Sequence, residues 1–443
     1  MTRRQAWSLL HITPHLGGGV GRALLSLAEG DRLWPQRAPA RTVLCLEPPE
    51  KSEAVFRLRE LGVEVRTLDT PQTLVEMARA HDVVQCETWN HPLMFAALAQ
   101  LRQVPLRMVF WCHVSGLHFP RLPNALWQQP FPVVLTAPCS LSAVQASLGD
   151  SLTRGSVHVI SSAAGFEQWP VPVERPGAGP ARLGYLGSLN LAKMHPSYAE
   201  WLVATARPGL SVELLGDEVM PGGWRTRCEQ LGHPDLLKVK GFCQDVPQAL
   251  KQWDVMIYLL NPFHYGTAEI ALLEAMASGV IPVVGANPCE RDVVSHGDTG
   301  WVVHNPAELG HVLAICDAEV PLRKRMGARA SSWVRDTFTL QRQHHAFEAI
   351  HEALLDQPRQ VVDWPVLVGD QPWQWFASTL PDPNAFVPGQ SPVLPRGDAL
   401  HAHLERTKGS VHHFARCFPR DETLQAWSRA VSATRREAWT QAA

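Results

Sequence analysis

Short apolar runs recur along the chain, separated by longer stretches in which apolar residues return at helical spacing, the pattern of a parallel sheet connected by helices. In the first part, 6–11, 41–46, 63–67, 83–86, 106–112, 133–137 and 157–160 predict strands, and 21–28, 53–61, 71–80, 92–100 and 140–148 predict helices between them. This is one doubly wound α/β unit. Pro170, Pro172, Pro176, Gly177, Gly179 and Pro180 then punctuate the chain in a way that neither a helix nor a central strand absorbs. Beyond them the alternation restarts with strands at 182–186, 211–215, 237–240, 255–258, 281–284 and 300–303, a second doubly wound unit. The expected organisation is a domain over 1–170, a linker over 171–181, a domain over 182–335, a closing helix over 336–357 at the end of a helical stretch 321–355, and an extension over 358–443. Trp364, Trp373 and Trp375 mark the extension; its aromatics either pack on the body or form a surface for an acceptor or partner, and packing is the expectation.

Composition narrows the classes. A chain of 443 residues exceeds a single small module, and 40 Lys+Arg against 42 Asp+Glu, a net charge of −2, gives no sign of nucleic-acid or anionic-membrane binding. The nine cysteines are scattered without a C-x-x-C, so neither a zinc site nor a disulfide framework is signalled, and a reducing cytoplasm is the expected location. The basic amino terminus is interrupted at His11 and Pro14, unlike a signal peptide, and no window approaches the roughly 20 apolar residues of a membrane span. Any membrane contact is expected to be peripheral.

Three constellations carry candidate chemistry. Leu16-Gly17-Gly18-Gly19-Val20-Gly21-Arg22 joins a strand to a helix, so Gly18 and Gly19 let a phosphate approach unpaired backbone N–H groups at a positive helix end. The spacing is not a P-loop; a dinucleotide turn is a second reading, but no acid stands about twenty residues on, near Pro39 and Ala40. A tight turn without ligand is the third. The second constellation, Gly184-Tyr185-Leu186-Gly187-Ser188 with Lys193 beyond, offers a lysine to a diphosphate or is a solvated loop. The third runs from Asp254 through Gly266-Thr267-Ala268-Glu269-Ile270 and Glu274 to Gly279 and Pro282, and reads as strand, loop, helix and strand. Thr267 is expected to cap a helix starting near it. Glu274, among apolar neighbours, needs a partner such as the paired hydroxyls of a ribose.

The run Glu274-Ala-Met-Ala-Ser-Gly-Val-Ile-Pro-Val-Val, with Gly241-Phe242 before it and Asp298-Thr299-Gly300 after it, resembles the carboxyl-terminal domain of the retaining glycosyltransferases of family four. Gly17 to Gly21, Val159-Ile160 with Gly165-Phe166, and Leu186-Gly187 with Lys193 resemble further motifs of that family, so the likeness extends over about residues 5–355. It implies a GT-B fold, two Rossmann-like domains facing each other across a cleft, here with a helical, Trp-rich extension. It also implies roles: Glu274 on the donor ribose, Lys193 on the diphosphate, Phe242 or its backbone on the base, and the loop of Gly266, Thr267, Ala268, Glu269 and Ile270 around the sugar and phosphates. His113, in Phe110-Trp-Cys-His-Val-Ser, is similar in context to a family histidine beside the transferred sugar; a core histidine is the competing reading. Two positions depart from the family. Gly266 stands where its first glutamate is expected, the nearest acid being Glu269 on what reads as another helix face, and Ser188 stands where a diphosphate arginine is expected.

The implied reaction is transfer from a UDP- or GDP-sugar to a hydroxyl of a glycan, lipid-linked or protein acceptor with retention, without cofactor or metal, since no D-x-D follows a strand. Lys193 and His113 are the residues expected nearest the chemistry, and bacterial surface glycan assembly is the implied setting. A degenerate GT-B protein that binds carbohydrate or a partner is the alternative, motivated by Gly266 and Ser188. A dehydrogenase or an epimerase is a third.

Overall fold

The computed structural model describes residues 6–49, 52–148, 157–173, 179–218, 222–267 and 269–442. The chain forms two compact units, Met1–Ala164 with Leu340–Ala443, and Gly165–Thr339. Most of the proline-rich segment 171–181 therefore lies in the second unit, with 174–178 outside the described residues, and 340–357 and the extension belong to the first.

The first unit is built on seven strands, β1 (Ser8–Thr13), β2 (Ala40–Cys45), β3 (Glu64–Thr67), β4 (Val83–Thr88), β5 (Met108–Cys112), β6 (Val133–Leu135) and β7 (Val157–Val159). Their order is β3-β2-β1-β4-β5-β6-β7 and every pair is parallel. Because β4 and β5 are covered on both faces, every residue in them is buried, whereas β3 at the edge buries only Val65. The second unit has six parallel strands, β8 (Leu183–Leu186), β9 (Val212–Leu215), β10 (Leu237–Gly241), β11 (Val255–Tyr258), β12 (Ile281–Gly285) and β13 (Trp301–Val303), in the order β10-β9-β8-β11-β12-β13. In both sheets the order reverses beside the first strand, which opens a crevice at the carboxyl ends of β1 and β4 and of β8 and β11.

Local chemistry starts and stops the helices that cover these sheets. Pro71 opens helix Pro71–Ala80, with the Thr70 side chain accepting from the Thr73 N–H, and Asn305 does the same for Pro306–Ala318 through Glu308. The stretch read as continuous helix over 321–355 is two helices, Val320–Thr337 and Leu340–Leu355. Phe338 leaves helical geometry at the break (φ −103°, ψ 64°), and its carbonyl accepts the Phe166 N–H at 3.1 Å. Close approach explains one pair of glycines: a Cβ at Gly216, after β9, would lie 1.8 Å from the Gly187 carbonyl oxygen, after β8.

The extension builds a second apolar cluster on the first unit. Phe95 and Phe119 of the body are buried with Trp375, Phe376, Phe386, Phe414 and Trp427 of the extension. The tail aromatics thus pack: Trp364 is 2% and Trp375 6% exposed, with Trp373 half-buried. Burial of such rings is worth roughly 2 kcal/mol each before cavity costs are counted. Phe414→Ala, which empties a fully buried ring site, should therefore destabilise the first unit by about 3–5 kcal/mol. Thermal unfolding checks this; a transition unchanged from wild type would mean that the extension is not part of the unit's core.

Candidate functional site

In the second unit the candidate residues gather where chain leaves β8 and β11. Lys193 is held in the turn after β8 by its own backbone: its N–H donates to Asn190 Oδ1 at 2.8 Å, and its carbonyl accepts from Asn261 N–H at 2.9 Å. Its ammonium donates to Glu269 Oε1 and Oε2 at 2.8 and 2.7 Å, and the Tyr258 hydroxyl at the end of β11 donates to Oε2 at 2.6 Å. The Lys193 side chain is 15% and that of Glu269 2% exposed, so the pair lies largely out of water. Burial alone would raise the Glu269 carboxyl; the charge of Lys193 and the hydrogen bonds of Lys193 and Tyr258 outweigh it and hold the group below the ordinary carboxylate value.

The loop from Gly266 to Ile270 differs from the sequence expectation. The helix begins at Ile270 and runs to Ala277, so buried Thr267 is not its cap, and Ala268 lies outside the described residues. Glu269 is the residue before the first turn, in left-handed backbone (φ 38°, ψ 53°) that no helix interior admits. Its side chain is consequently not on another helix face but folds back over Gly266. A Cβ at Gly266 would lie 2.1 Å from Glu269 Oε1 and 2.6 Å from Lys193 Nζ. Glycine at 266 is thus a condition of the Lys193–Glu269 pair, and the Glu269 carboxylate fills the space into which a side chain at 266 would project. Sequence reasoning missed Tyr258 and His264, which complete this cluster; a polar residue closing the apolar run of β11 was the available signal.

The remaining donor-side candidates surround this pair. Ser188 is exposed, and its carbonyl accepts from the Tyr185 hydroxyl at 3.2 Å. Phe242, just beyond β10, is 59% exposed. Glu274 is buried in helix Ile270–Ala277. The Cys243 thiol next to Phe242 is raised by burial and by the charges of Asp245, Glu213 and Glu274, so the Glu274 carboxylate acts electrostatically on the turn after β10. A cavity of about 610 Å³ in this unit lies elsewhere, beside Asp254, Gly279 and Arg335.

In the first unit, Gly18 and Gly19 are exposed in the first turn of helix Gly18–Leu33, directly after β1. Gly21 serves the turn itself, since a Cβ there would lie 2.2 Å from the Leu16 carbonyl oxygen. His113 follows β5, with its N–H donating to the Thr88 carbonyl at 2.8 Å and its Nε2 2.8 Å from Oε2 of the fully buried Glu87. Sequence reasoning passed over Glu87, although an acid in the apolar strand Val-Val-Gln-Cys-Glu-Thr calls for buried partners.

Among the described residues, two groups bring potential metal ligands within 4.8 Å of one another: His15, Glu47 and His91, and His264, Glu269 and Glu290. In both, each imidazole Nδ1 accepts a backbone N–H: Gly17 to His15 at 3.0 Å, Leu93 to His91 at 3.2 Å and Gly266 to His264 at 3.0 Å. The ring proton is therefore on Nε2, which in His91 lies 3.3 Å from Glu47 and in His264 3.0 Å from Glu290. The His264–Glu290 contact lacks hydrogen-bond geometry, and both buried Glu290 oxygens are without a hydrogen-bond partner among the described residues; a metal at these Nε2 atoms would have to displace the protons.

The family described as glycosyl transferases group 1 matches residues 180–333, within the second unit. Glycogen synthase of Mycobacterium tuberculosis is 27% identical over 238 residues, 49% of this chain and 55% of that protein. The chain thus spans about half the length of the curated relatives it matches. Among solved structures, HepE of Anabaena in complex with UDP-glucose superposes with a TM-score of 0.63 at 16% identity, covering 79% of this chain and 100% of that one. A glycosyltransferase from Rickettsia africae gives 0.63 at 12% identity, covering 80% and 100%. These likenesses define the fold class: two Rossmann-like units in one chain, the GT-B architecture. No helix among the described residues is long and apolar enough to cross a membrane.

Replacing Lys193 by Ala should strand the Glu269 carboxylate, at a cost of about 3 kcal/mol near neutral pH. The pH dependence should also change sign. In the wild type the Glu269 carboxyl is depressed, so its stabilisation is present above the unfolded carboxylate value and is lost as pH falls through the folded one. In Lys193→Ala the lysine's charge and hydrogen bonds are gone and the Tyr258 hydrogen bond is left against burial, so that carboxyl rises and stability is gained as pH falls towards it. Denaturant unfolding of both proteins between about pH 4 and 8 compares the slopes, and adding Glu269→Gln to Lys193→Ala should recover most of the loss.

Proposed function

We propose that the chain is a glycosyltransferase that moves a sugar from a UDP- or GDP-sugar to a hydroxyl acceptor with retention. The carrying observation is a half-buried lysine, Lys193, paired with buried Glu269 at the carboxyl ends of β8 and β11, inside the segment matched by the glycosyltransferase family. A lysine in that crevice supplies the point charge a leaving diphosphate requires. In this reading Glu274 accepts from the donor ribose hydroxyls, Phe242 lies against the base, and Gly266, Thr267, Ala268, Glu269 and Ile270 wrap the sugar and phosphates. Ser188 contributes a hydroxyl in place of a charge. In the first unit, Gly18 and Gly19 suit a phosphate and His113 a sugar hydroxyl. The acceptor attacks on the face the leaving group departs from, and the departing phosphate oxygen takes its proton, so the step asks for no side-chain nucleophile or metal. A glycan, lipid-linked or protein acceptor in bacterial surface glycan assembly, handled in the cytoplasm or at the membrane periphery, is the setting this reading implies.

One observation favours the second reading, a GT-B protein that binds without transferring. Glu269 already neutralises Lys193, while Gly266 and Ser188 add no charge. A diphosphate must therefore share the ammonium with a carboxylate.

Thermal unfolding with a panel of UDP- and GDP-sugars separates the two. A donor at a hundred times its dissociation constant should stabilise the protein by about 2.7 kcal/mol, and turnover should follow with that donor. Glu274→Gln should weaken nucleotide binding roughly ten-fold or more, a lost charge-assisted hydrogen bond, with unchanged circular dichroism. An unaltered affinity would remove Glu274 from the ribose, and stabilisation without turnover over a broad acceptor screen would select the binding protein.

A further inference from the structure

A line of buried polar groups crosses the first sheet and ends at His113. Arg41 on β2 can only donate. Asp31 takes its Nε and Nη2 protons at 2.7 and 3.0 Å, and its Nη1 donates to His11 Nε2 on β1. His11 Nε2 must therefore be bare, which puts the ring proton on Nδ1, 2.7 Å from Glu87 Oε1 on β4. The same oxygen accepts from the Gln85 amide at 3.0 Å, and the amide oxygen of Gln85 faces His351 Nε2 at 2.9 Å. Gln85 and Glu87 are two apart on one strand and so share a face.

Glu87 is fully buried. Burial by itself would raise its carboxyl, but the hydrogen bonds and charges of His11 and His113 outweigh this and hold it below the ordinary value. An ionised carboxylate only accepts. Its second oxygen, 2.8 Å from His113 Nε2, therefore requires the hydrogen on that nitrogen. The backbone N–H of His113 donates to the Thr88 carbonyl, and the ring contacts the Trp111 ring, with centroids 4.8 Å apart. Each proton position from Arg41 to His113 follows from the one before it.

We propose that Glu87 is a positioning residue that locks His113 in the Nε2–H form, so that Nδ1, on the side of the ring away from Glu87, is presented as a hydrogen-bond acceptor to a carbohydrate hydroxyl. Arg41, acting through His11, sets the direction of the line. The inference rests on the reading of His113 as a sugar-contacting residue, but the proton positions do not.

Glu87→Gln tests it, because the amide keeps the shape and offers one acceptor and one donor. The acceptor is required by His11 and Gln85, so the donor faces His113 Nε2 and forces the proton onto Nδ1. Ring nitrogen NMR of histidine-labelled full-length protein at about pH 8, where a free imidazole is neutral, reads this directly, with His113→Gln identifying the resonance. The expected result is bare Nδ1 in the wild type, protonated Nδ1 in Glu87→Gln, and a fall in turnover of roughly 100-fold with donor KM changed less than about three-fold. Glu87→Asp, which keeps an acceptor-only group, should retain the wild-type form. A protonated Nδ1 in the wild type overturns the proposal even if Glu87→Gln does not fold. An unreversed ring in Glu87→Gln overturns it too, as does reversal without loss of turnover. The expected proton positions in a protein that turns over no donor sustain the role of Glu87 and refute the transferase reading instead.

Discussion

A carboxylate withdrawn from water is stabilised when donors meet it, and this interaction organises one polar cluster in each unit. In the second unit Glu269 is met by Lys193 and Tyr258; in the first, Glu87 is met by His11, Gln85 and His113. Neither acid is on the surface: Glu87 lies near the carboxyl end of β4, and Glu269, just before helix Ile270–Ala277, meets Tyr258 at the carboxyl end of β11, both strands flanking a reversal of strand order. Elsewhere the sheets are closed by apolar packing, as where the Trp253 ring lies 2.0 Å from the Cβ position of Gly184. Polar groups are concentrated where the backbone diverges and leaves room for them.

Most of the fold was legible because parallel strands covered on both faces are written as apolar runs. The run 255–258 is strand β11 as read, and helices Pro71–Ala80 and Pro92–Gln100 begin at the prolines that announce them. The region from Gly266 to Ile270 was not legible in the same way. Periodicity places a residue on a helix face only if the residue is helical, and the left-handed backbone of Glu269 removes it from that rule. The division of the polypeptide was hidden for a related reason. Proline and glycine mark where regular structure stops, not which neighbour a segment packs against, so the stretch near Pro172 reads as a connector although it belongs to the second unit.

The candidate site shows how a carboxylate can be delivered from a different position in the chain. A side chain at 266 would be directed into the pocket above Lys193; with glycine there, the acid three residues later reverses over the loop and occupies that pocket. The swap moves the charge from before the loop to its end, where it also meets the Tyr258 hydroxyl. His113 illustrates the complementary difficulty. Its position after β5 was visible in sequence, but what gives its ring a defined orientation comes from β1, β2 and β4, far away along the chain.

The first unit closes only when segments from both ends of the polypeptide meet, while the second is a single uninterrupted stretch between them. During synthesis all seven strands of the first sheet precede the second unit, but the helix Leu340–Leu355 and the extension follow it, so the second unit can be complete before the first is fully covered. Until Phe376, Phe414 and Trp427 emerge from the ribosome, Phe95 and Phe119 have no cover. The nascent chain therefore carries a sticky apolar face through most of its elongation, a period in which a chaperone's protection matters more than it would for a contiguous fold.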